Sequence, residues 1–179
     1  MDMTGERRIA ASRKVVWAAL NDPNILKQAI PGCESLEMQS PTEMTARVKL
    51  AIGPVKATFN GKVKLSELDP PNGYRISGEG NGGVAGYAKG GANVRLADDG
   101  SGTLMRYDVK ADVGGKLAQL GGRLIDSSAK KLADEFFEKF TAIVGGAPSV
   151  AAVSGTAPAK KKGWFKRLFG RKDKAEARA

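Results

Sequence analysis

Apolar and polar residues alternate with a period of two through the middle of the chain, and a helical period takes over in the last third before position 146. Ala46, Val48, Leu50 and Ile52 alternate with Thr45, Arg47, Lys49 and Ala51. Beyond a turn at Gly53-Pro54, Val55, Ala57, Phe59, Val63 and Leu65 alternate with Lys56, Thr58, Asn60, Lys62 and Lys64. One face of this hairpin is apolar and the other basic or hydroxylic, as in an antiparallel sheet wetted on one side. Turn signals at Pro70-Pro71-Asn72-Gly73 and at Asp98-Asp99-Gly100-Ser101-Gly102 bracket further strands around 74–79, 89–96 and 103–113.

Before the sheet, 6–10 reads as a first strand. Ser12 stands as an N-cap ahead of Val15, Val16, Trp17 and Leu20, which predicts a short helix with an apolar stripe. Asp22-Pro23 repeats the start signal, a capping Asp with Pro at the first helical position. That second helix carries Ile25, Leu26 and Ile30 and stops at Pro31-Gly32. From Lys116 onward, Leu117, Leu120, Leu124, Leu132, Phe136, Phe140 and Ile143 fall on one broad face, so the spacing predicts a helix ending at Gly145-Gly146. At about 30 residues it would be roughly 45 Å long and would cross a whole sheet. The order of elements predicts an α+β, helix-grip fold: a curved antiparallel sheet wrapped around a long C-terminal helix, with two short helices after the first strand. Such folds leave room for an apolar cavity between sheet and helix.

Projecting the alternation inward nominates lining residues. Phe59, Ile76, Val94, Met105, Tyr107 and Val109 come from the sheet, and Leu117, Leu120, Gly121, Leu124 and Ser128 come from the helix opposite. Trp17, Ile30 and Tyr87 are candidates to close the mouth, and the Tyr87 and Tyr107 hydroxyls are candidate hydrogen-bond donors to a ligand carbonyl. Gly121-Gly122 and Ser127-Ser128 interrupt the apolar helix face, either for close packing on the sheet or to seat a ligand.

Charge divides the chain differently from hydrophobicity. Of the net +10, Lys160 to Ala179 carries +7, from nine basic and two acidic residues. The stretch 147–159 has no charged residue and consists of Ala, Pro, Ser, Val, Gly and Thr. The expected organisation is a domain over 1–146, a flexible linker over 147–159 spanning very roughly 20 Å, and a basic amphipathic tail over 160–179. Since the domain itself is close to neutral, nucleic acid is not an expected partner.

The composition also narrows the chemistry. The chain has no His, the usual base near neutral pH and the commonest metal ligand, so neither a metal nor a catalytic triad is expected. Its one Cys, Cys33, has no His to activate it and reads as a small half-buried apolar residue. Gly78-Glu79-Gly80-Asn81-Gly82-Gly83 matches a dinucleotide fingerprint formally, but Val84-Ala85-Gly86-Tyr87 reads as loop and strand where that motif needs a helix. The start of the chain lacks the apolar stretch of a signal peptide, so a cytoplasmic protein is expected.

The tail is the most specific local pattern. Lys160, Lys161 and Lys162 precede Trp164, Phe165, Lys166, Arg167, Leu168, Phe169, Arg171 and Lys172. On a helix the four apolar residues cover an arc of roughly 140° and Lys166, Arg167 and Arg171 lie opposite. Such a helix lies in the plane of an anionic membrane surface, Trp and Phe at the acyl boundary and Lys and Arg among the headgroups. Peripheral attachment to the inner face of the cytoplasmic membrane is therefore expected, with docking of the helix on a partner protein as the alternative.

Several stretches carry a family resemblance: Val16-Trp17-Ala18-Ala19-Leu20-Asn21-Asp22-Pro23, Ile30-Pro31-Gly32-Cys33-Glu34-Ser35-Leu36, Gly53-Pro54-Val55-Lys56-Ala57, the Gly-rich run from Gly78 to Gly91, and Val113-Gly114-Gly115-Lys116-Leu117-Ala118-Gln119-Leu120-Gly121 with Arg123-Leu124-Ile125-Asp126. Over about residues 4 to 144 the chain resembles the carbon monoxide dehydrogenase G-subunit family, within the START-like (SRPBCC) helix-grip superfamily. The resemblance implies a non-catalytic accessory protein that recruits a molybdenum hydroxylase, such as aerobic CO dehydrogenase, to the cytoplasmic membrane. Its expected ligand is an apolar small molecule, a quinone or lipid, and no cofactor is expected. The alternatives are a cavity enzyme of the cyclase or aromatase type and a generic lipid-transfer protein.

Overall fold

The structure, a computed structural model, describes residues 1–145. Seven strands form a single antiparallel sheet: β1 (Asp2–Ile9), β2 (Cys33–Ser40), β3 (Glu43–Ile52), β4 (Val55–Asp69), β5 (Gly73–Asn81), β6 (Tyr87–Asp99) and β7 (Gly102–Gly114). Their order is β1-β7-β6-β5-β4-β3-β2, so consecutive strands pair from β2 to β7 and β1 closes the far edge on β7. Two short helices, α1 (Arg13–Leu20) and α2 (Pro23–Ala29), follow β1, and the long helix α3 (Gly122–Gly145) lies against the inner face. This is the helix-grip architecture expected from the alternation.

The caps lie where their residue chemistry puts them. The Ser12 hydroxyl accepts from the Val15 amide, and the Asp22 carboxylate accepts from the Asn24 amide with Pro23 next in line. The strands are longer than the sequence pattern indicates. β1 begins at Asp2 because it borrows its register from β7, Asp2 opposite Lys110 and Ile9 opposite Thr103. β2 is a strand that the alternation does not predict. A register shift between Cys33 and Ser35 and another between Met38 and Ser40 break its pattern, and bulges of this kind hide a strand from a period-two reading.

The long helix differs more. The expected helix from Lys116 is two elements. Gly115–Leu120 is a 3₁₀ turn, Gly121 follows at φ +87°, and only then does α3 begin. The 24 residues of α3 make it about 36 Å long. Gly121 therefore sits at a corner that L residues rarely adopt and is not a helix-interior glycine. On α3 itself Phe137 and Phe140 are buried, whereas Ile143 is 38% exposed.

The core is not continuous. A large cluster joins Ile9, Val16, Leu20, Leu26, Met44, Leu65, Tyr74, Val94, Leu96 and Met105 to Phe137 and Phe140, filling the end of the grip beneath α1 and α2. A small cluster of Phe59, Ala85 and Leu117, with Ile52, Val55, Val113 and Leu120 against it, closes the opposite end. There the β3–β4 turn, the β5–β6 loop and the 3₁₀ turn meet. We call it the loop end.

Candidate functional site: the space between two clusters

Side chains that face α3 come from alternate positions of each strand, and the pairing aligns them in rows across the sheet. One row is Leu65, Ile76, Ala92 and Val109, at the edge of the large cluster. The next towards the loop end is Met44, Val63, Gly78, Gly90 and Ala111, and the one after it is Ala46, Gly61, Gly80, Ala88 and Val113. Beyond these comes Phe59 of the small cluster. Two successive rows are thus built mostly of Gly and Ala, a shallow floor between two walls of larger side chains.

At the centre of this floor no atom of α3 lies within 4 Å of a Cβ placed on Gly61 or Gly80. A Cβ placed on Gly61 would meet only the Glu79 and Ala46 carbonyl oxygens within 4 Å, and one on Gly80 only the Phe59 Cβ. The apolar residues around it, Val48, Val63, Ile76 and Val109 on the sheet and Leu124, Ile125 and Leu132 on α3, are half-buried where close packing would bury them. Gly90 is small for a different reason: its Cβ would collide with the Lys110 carbonyl oxygen, so the backbone of β7 requires Gly there.

The expected lining residues do not share one surface. Ile76, Val109 and Phe59 stand around the floor, the last with its ring folded against Gly82. Val94 and Met105 are buried within the large cluster. Tyr107 lies over Gly5 of β1 and stacks on Phe137, ring centroids 5.2 Å apart. Leu117 and Leu120 belong to the small cluster and do not sit on the long helix. Leu124, in the first turn of α3, packs against the β3–β4 turn at Gly53. Gly121 is exposed with nothing within 4 Å of its would-be Cβ, so it is not lining. Ser128 lines a depression of about 320 Å³ on one flank of α3, beside Gly32, Lys49, Lys131 and Glu135. A second flank depression, of about 360 Å³, lies between β1 and α3 and includes Gly5, Arg7, Tyr107, Asp126 and Lys130.

The three residues expected to close one mouth do not share an end. Trp17 packs edge-on against Tyr74, centroids 5.3 Å apart, and Ile30 caps α2; both lean on the large cluster. Tyr87 pairs with Asn81 and Gly114 at the other end of the same strands, and its ring lies over Gly114 on the outer face, 47% exposed. Tyr74 and Asn81 are seven positions apart on β5, about 23 Å of extended chain. The Tyr87 hydroxyl is thus no donor to the interior, and Tyr107 keeps that possibility alone. Missed from the sequence was Tyr74, whose burial among Trp17 and Val94 pushes its phenol well above the usual tyrosine range. Its place at the start of a strand after a turn carries no sign of burial.

A depression of about 930 Å³ lies on the outer face of the sheet. Its side chains include Lys62, Glu79, Lys89 and Asp112, aligned across β4 to β7 with alternating sign. An open, charged trough cannot desolvate an apolar molecule, so the inner space is the better site. Among the described residues no group of three or more His, Cys, Asp or Glu could hold a metal. Cys33 is half-buried, its Sγ donates to the Ser35 carbonyl, and burial raises its pKa above the ordinary thiol value. The Gly-rich segment after β5 leads into a three-residue 3₁₀ turn, Gly83–Ala85, with no helix to hold a pyrophosphate.

Family comparison agrees with this architecture. Residues 5–145 match the model of the family described as the G subunit of carbon monoxide dehydrogenase (CoxG). The chain belongs to that family. A conserved protein from Geobacillus kaustophilus superposes with a TM-score of 0.76 at 29% identity, over 80% of this chain and 95% of the other. A START superfamily protein from Mycobacterium smegmatis superposes at 0.62 with 14% identity, over 80% and 96%. At that identity the second match shows the fold alone, and it is a START-like fold. No protein of curated function matches the chain. Among the described residues no helix is long and apolar enough to cross a membrane. The expected linker and the tail, Lys160 to Lys172 included, lie outside the described residues.

Proposed function

We propose that this chain is a non-catalytic accessory protein that holds an apolar molecule, a quinone or lipid, on the Gly/Ala floor between the two clusters. In this reading it recruits a molybdenum hydroxylase of the CO dehydrogenase type to an anionic membrane through its basic C-terminal tail. The observation that carries the ligand half is the floor itself: Gly61 and Gly80 point at α3, and nothing of α3 lies within contact of a Cβ at either position. A folded chain does not leave such a space beneath a Leu- and Ile-bearing helix without cost, because each unfilled volume forfeits dispersion contacts. A bound apolar ligand restores them.

The accessory role is supported by membership of the CoxG family, which takes its description from a component of carbon monoxide dehydrogenase. It is also supported by a sequence without His, which removes the usual base for cyclase or aromatase chemistry. The membrane half rests on the pattern of Trp164, Phe165, Leu168 and Phe169 against Lys166, Arg167 and Arg171. Native mass spectrometry of gently purified full-length chain tests the ligand: an apolar molecule retained at near-unit ratio supports the reading, and an empty chain from quinone- and lipid-rich membranes refutes it. Co-sedimentation of the Trp164→Ala/Phe165→Ala variant with anionic vesicles tests the tail, with strongly weakened binding expected at every salt concentration.

A further inference from the structure

We propose that the loop end of the folded domain is itself a membrane-contacting surface, separate from the tail, and that it presents the apolar floor to an anionic bilayer. The proposal deepens the ligand-and-membrane reading above and rests on it. The loop end is made of three segments held together by contacts. The Gly53 turn packs on Leu124, the Phe59 ring lies against Gly82, and Gly86 touches the backbone of Gly114 and Gly115. Over 51–57, 81–88 and 114–124 these segments carry Lys56, Lys116 and Arg123 and not one acidic residue. Elsewhere on the sheet acids and bases alternate, as in the Lys62, Glu79, Lys89 and Asp112 row. All three cations are exposed, and none is in an ion pair among the described residues.

The apolar part of the surface is as uneven as the charge. Val84, at the tip of the β5–β6 loop, is 88% exposed, the most exposed large apolar side chain among the described residues. Tyr87, just beyond the loop's 3₁₀ turn, is 47% exposed with its ring over Gly114. At Gly83, Gly121 and Gly122, all within the loop-end segments, a Cβ would meet nothing within 4 Å, so the backbone there is open. One protruding aliphatic residue, one aromatic and three unopposed cations suit a bilayer interface, which accepts a small apolar insertion beneath anionic headgroups. A stable protein partner would call for a far larger buried area, about 800 Å² per side, around an aromatic anchor.

The chain length permits both contacts at once. Gly145 lies a helix length, about 36 Å, from Gly122. The 18 residues from 146 to 163 that lead to Trp164 can extend to about 60 Å. The tail and the loop end can therefore touch one bilayer with α3 standing away from it, and an apolar ligand would pass between bilayer and floor without crossing water.

The test uses full-length protein carrying Cys33→Ser, with a polarity-sensitive dye on Val84→Cys or, as a control on the outer face, Thr58→Cys. Vesicles are phosphatidylglycerol/phosphatidylcholine mixtures. The expected result is a blue shift at position 84 and none at 58. In unlabelled protein, Val84→Asp and Lys116→Glu should each weaken vesicle binding about fivefold. The Trp164→Ala/Phe165→Ala variant should retain weak binding that Val84→Asp removes. No shift at 84 while the parent co-sediments normally would overturn this proposal and leave the tail in place. A shift that appears with the partner hydroxylase and not with vesicles would overturn it in favour of a protein face. If the tail variant binds as well as the parent and 84 still shifts, the loop end stands and the tail reading falls.

Discussion

The two ends of the grip hold the same sheet by different means. Beneath α1 and α2 the core contains Phe137, Phe140, Tyr74 and Trp17 in ring contacts, and Ile9, Val16, Met105 and Phe140 are almost wholly buried. At the loop end three buried residues suffice, Phe59, Ala85 and Leu117, and the backbone turns on Gly53, Gly83, Gly86, Gly115 and Gly121, all at positive φ. Aromatic rings bury area and resist rearrangement, whereas glycine-rich turns contribute little to packing and reconfigure easily. The first end is a foundation that fixes α3 against the sheet. The second is a lightly packed cap, and in the carrier role proposed above it is the part that would open.

The contrast can be broken first at the foundation. Phe140→Ala removes a fully buried ring from the junction of α3 with the aromatic cluster and should cost about 3–5 kcal/mol, read as a large fall in melting temperature. An effect below about 1 kcal/mol would mean that this end is not the anchor. Leu117→Ala, equally buried but in the small cluster, should cost less, about 2 kcal/mol, because the surrounding loops can close on the space. Hydrogen exchange should then accelerate across 81–88 and 114–121 and leave the Phe140 region protected. Equal acceleration at both ends would show one cooperative core. Val84→Ser, at the exposed tip, should change stability by less than about 0.5 kcal/mol, since nothing packs on it.

The same division explains what the sequence reveals and what it hides. The foundation is written in side chains: caps at Ser12 and Asp22, alternation through β3 and β4, and helical spacing at Leu132, Phe136 and Phe140 all reappear in the structure. The loop end is written in glycine, and glycine is ambiguous. Gly121 reads as a small residue inside a helix until its φ of +87° shows that it ends one element and begins another. Gly78, Gly80, Gly82 and Gly83 form a run that period-two reading cannot assign to a face, yet Gly80 looks inward across an open space and Gly82 is pinned beneath Phe59. Tyr87 fails for a related reason, since the loop before it sets the strand's phase and puts its ring on the outer face. β2 stays hidden behind its two register shifts.

The central claim is that an apolar molecule occupies the space above the Gly/Ala floor, and Gly80→Leu tests it most directly. Gly80 has ordinary strand geometry, and its would-be Cβ meets only Phe59, so the new side chain would point into that space. The measurement pairs thermal unfolding of the full-length variant with titration by a short-chain quinone in a Trp164→Phe background, so that the fluorescence followed is that of Trp17. The account predicts a melting temperature equal to or above the parent's and loss of quinone binding. Overpacking a filled interior typically costs about 1–3 kcal/mol. A fall in melting temperature of that size, or unchanged quinone uptake, would contradict the account.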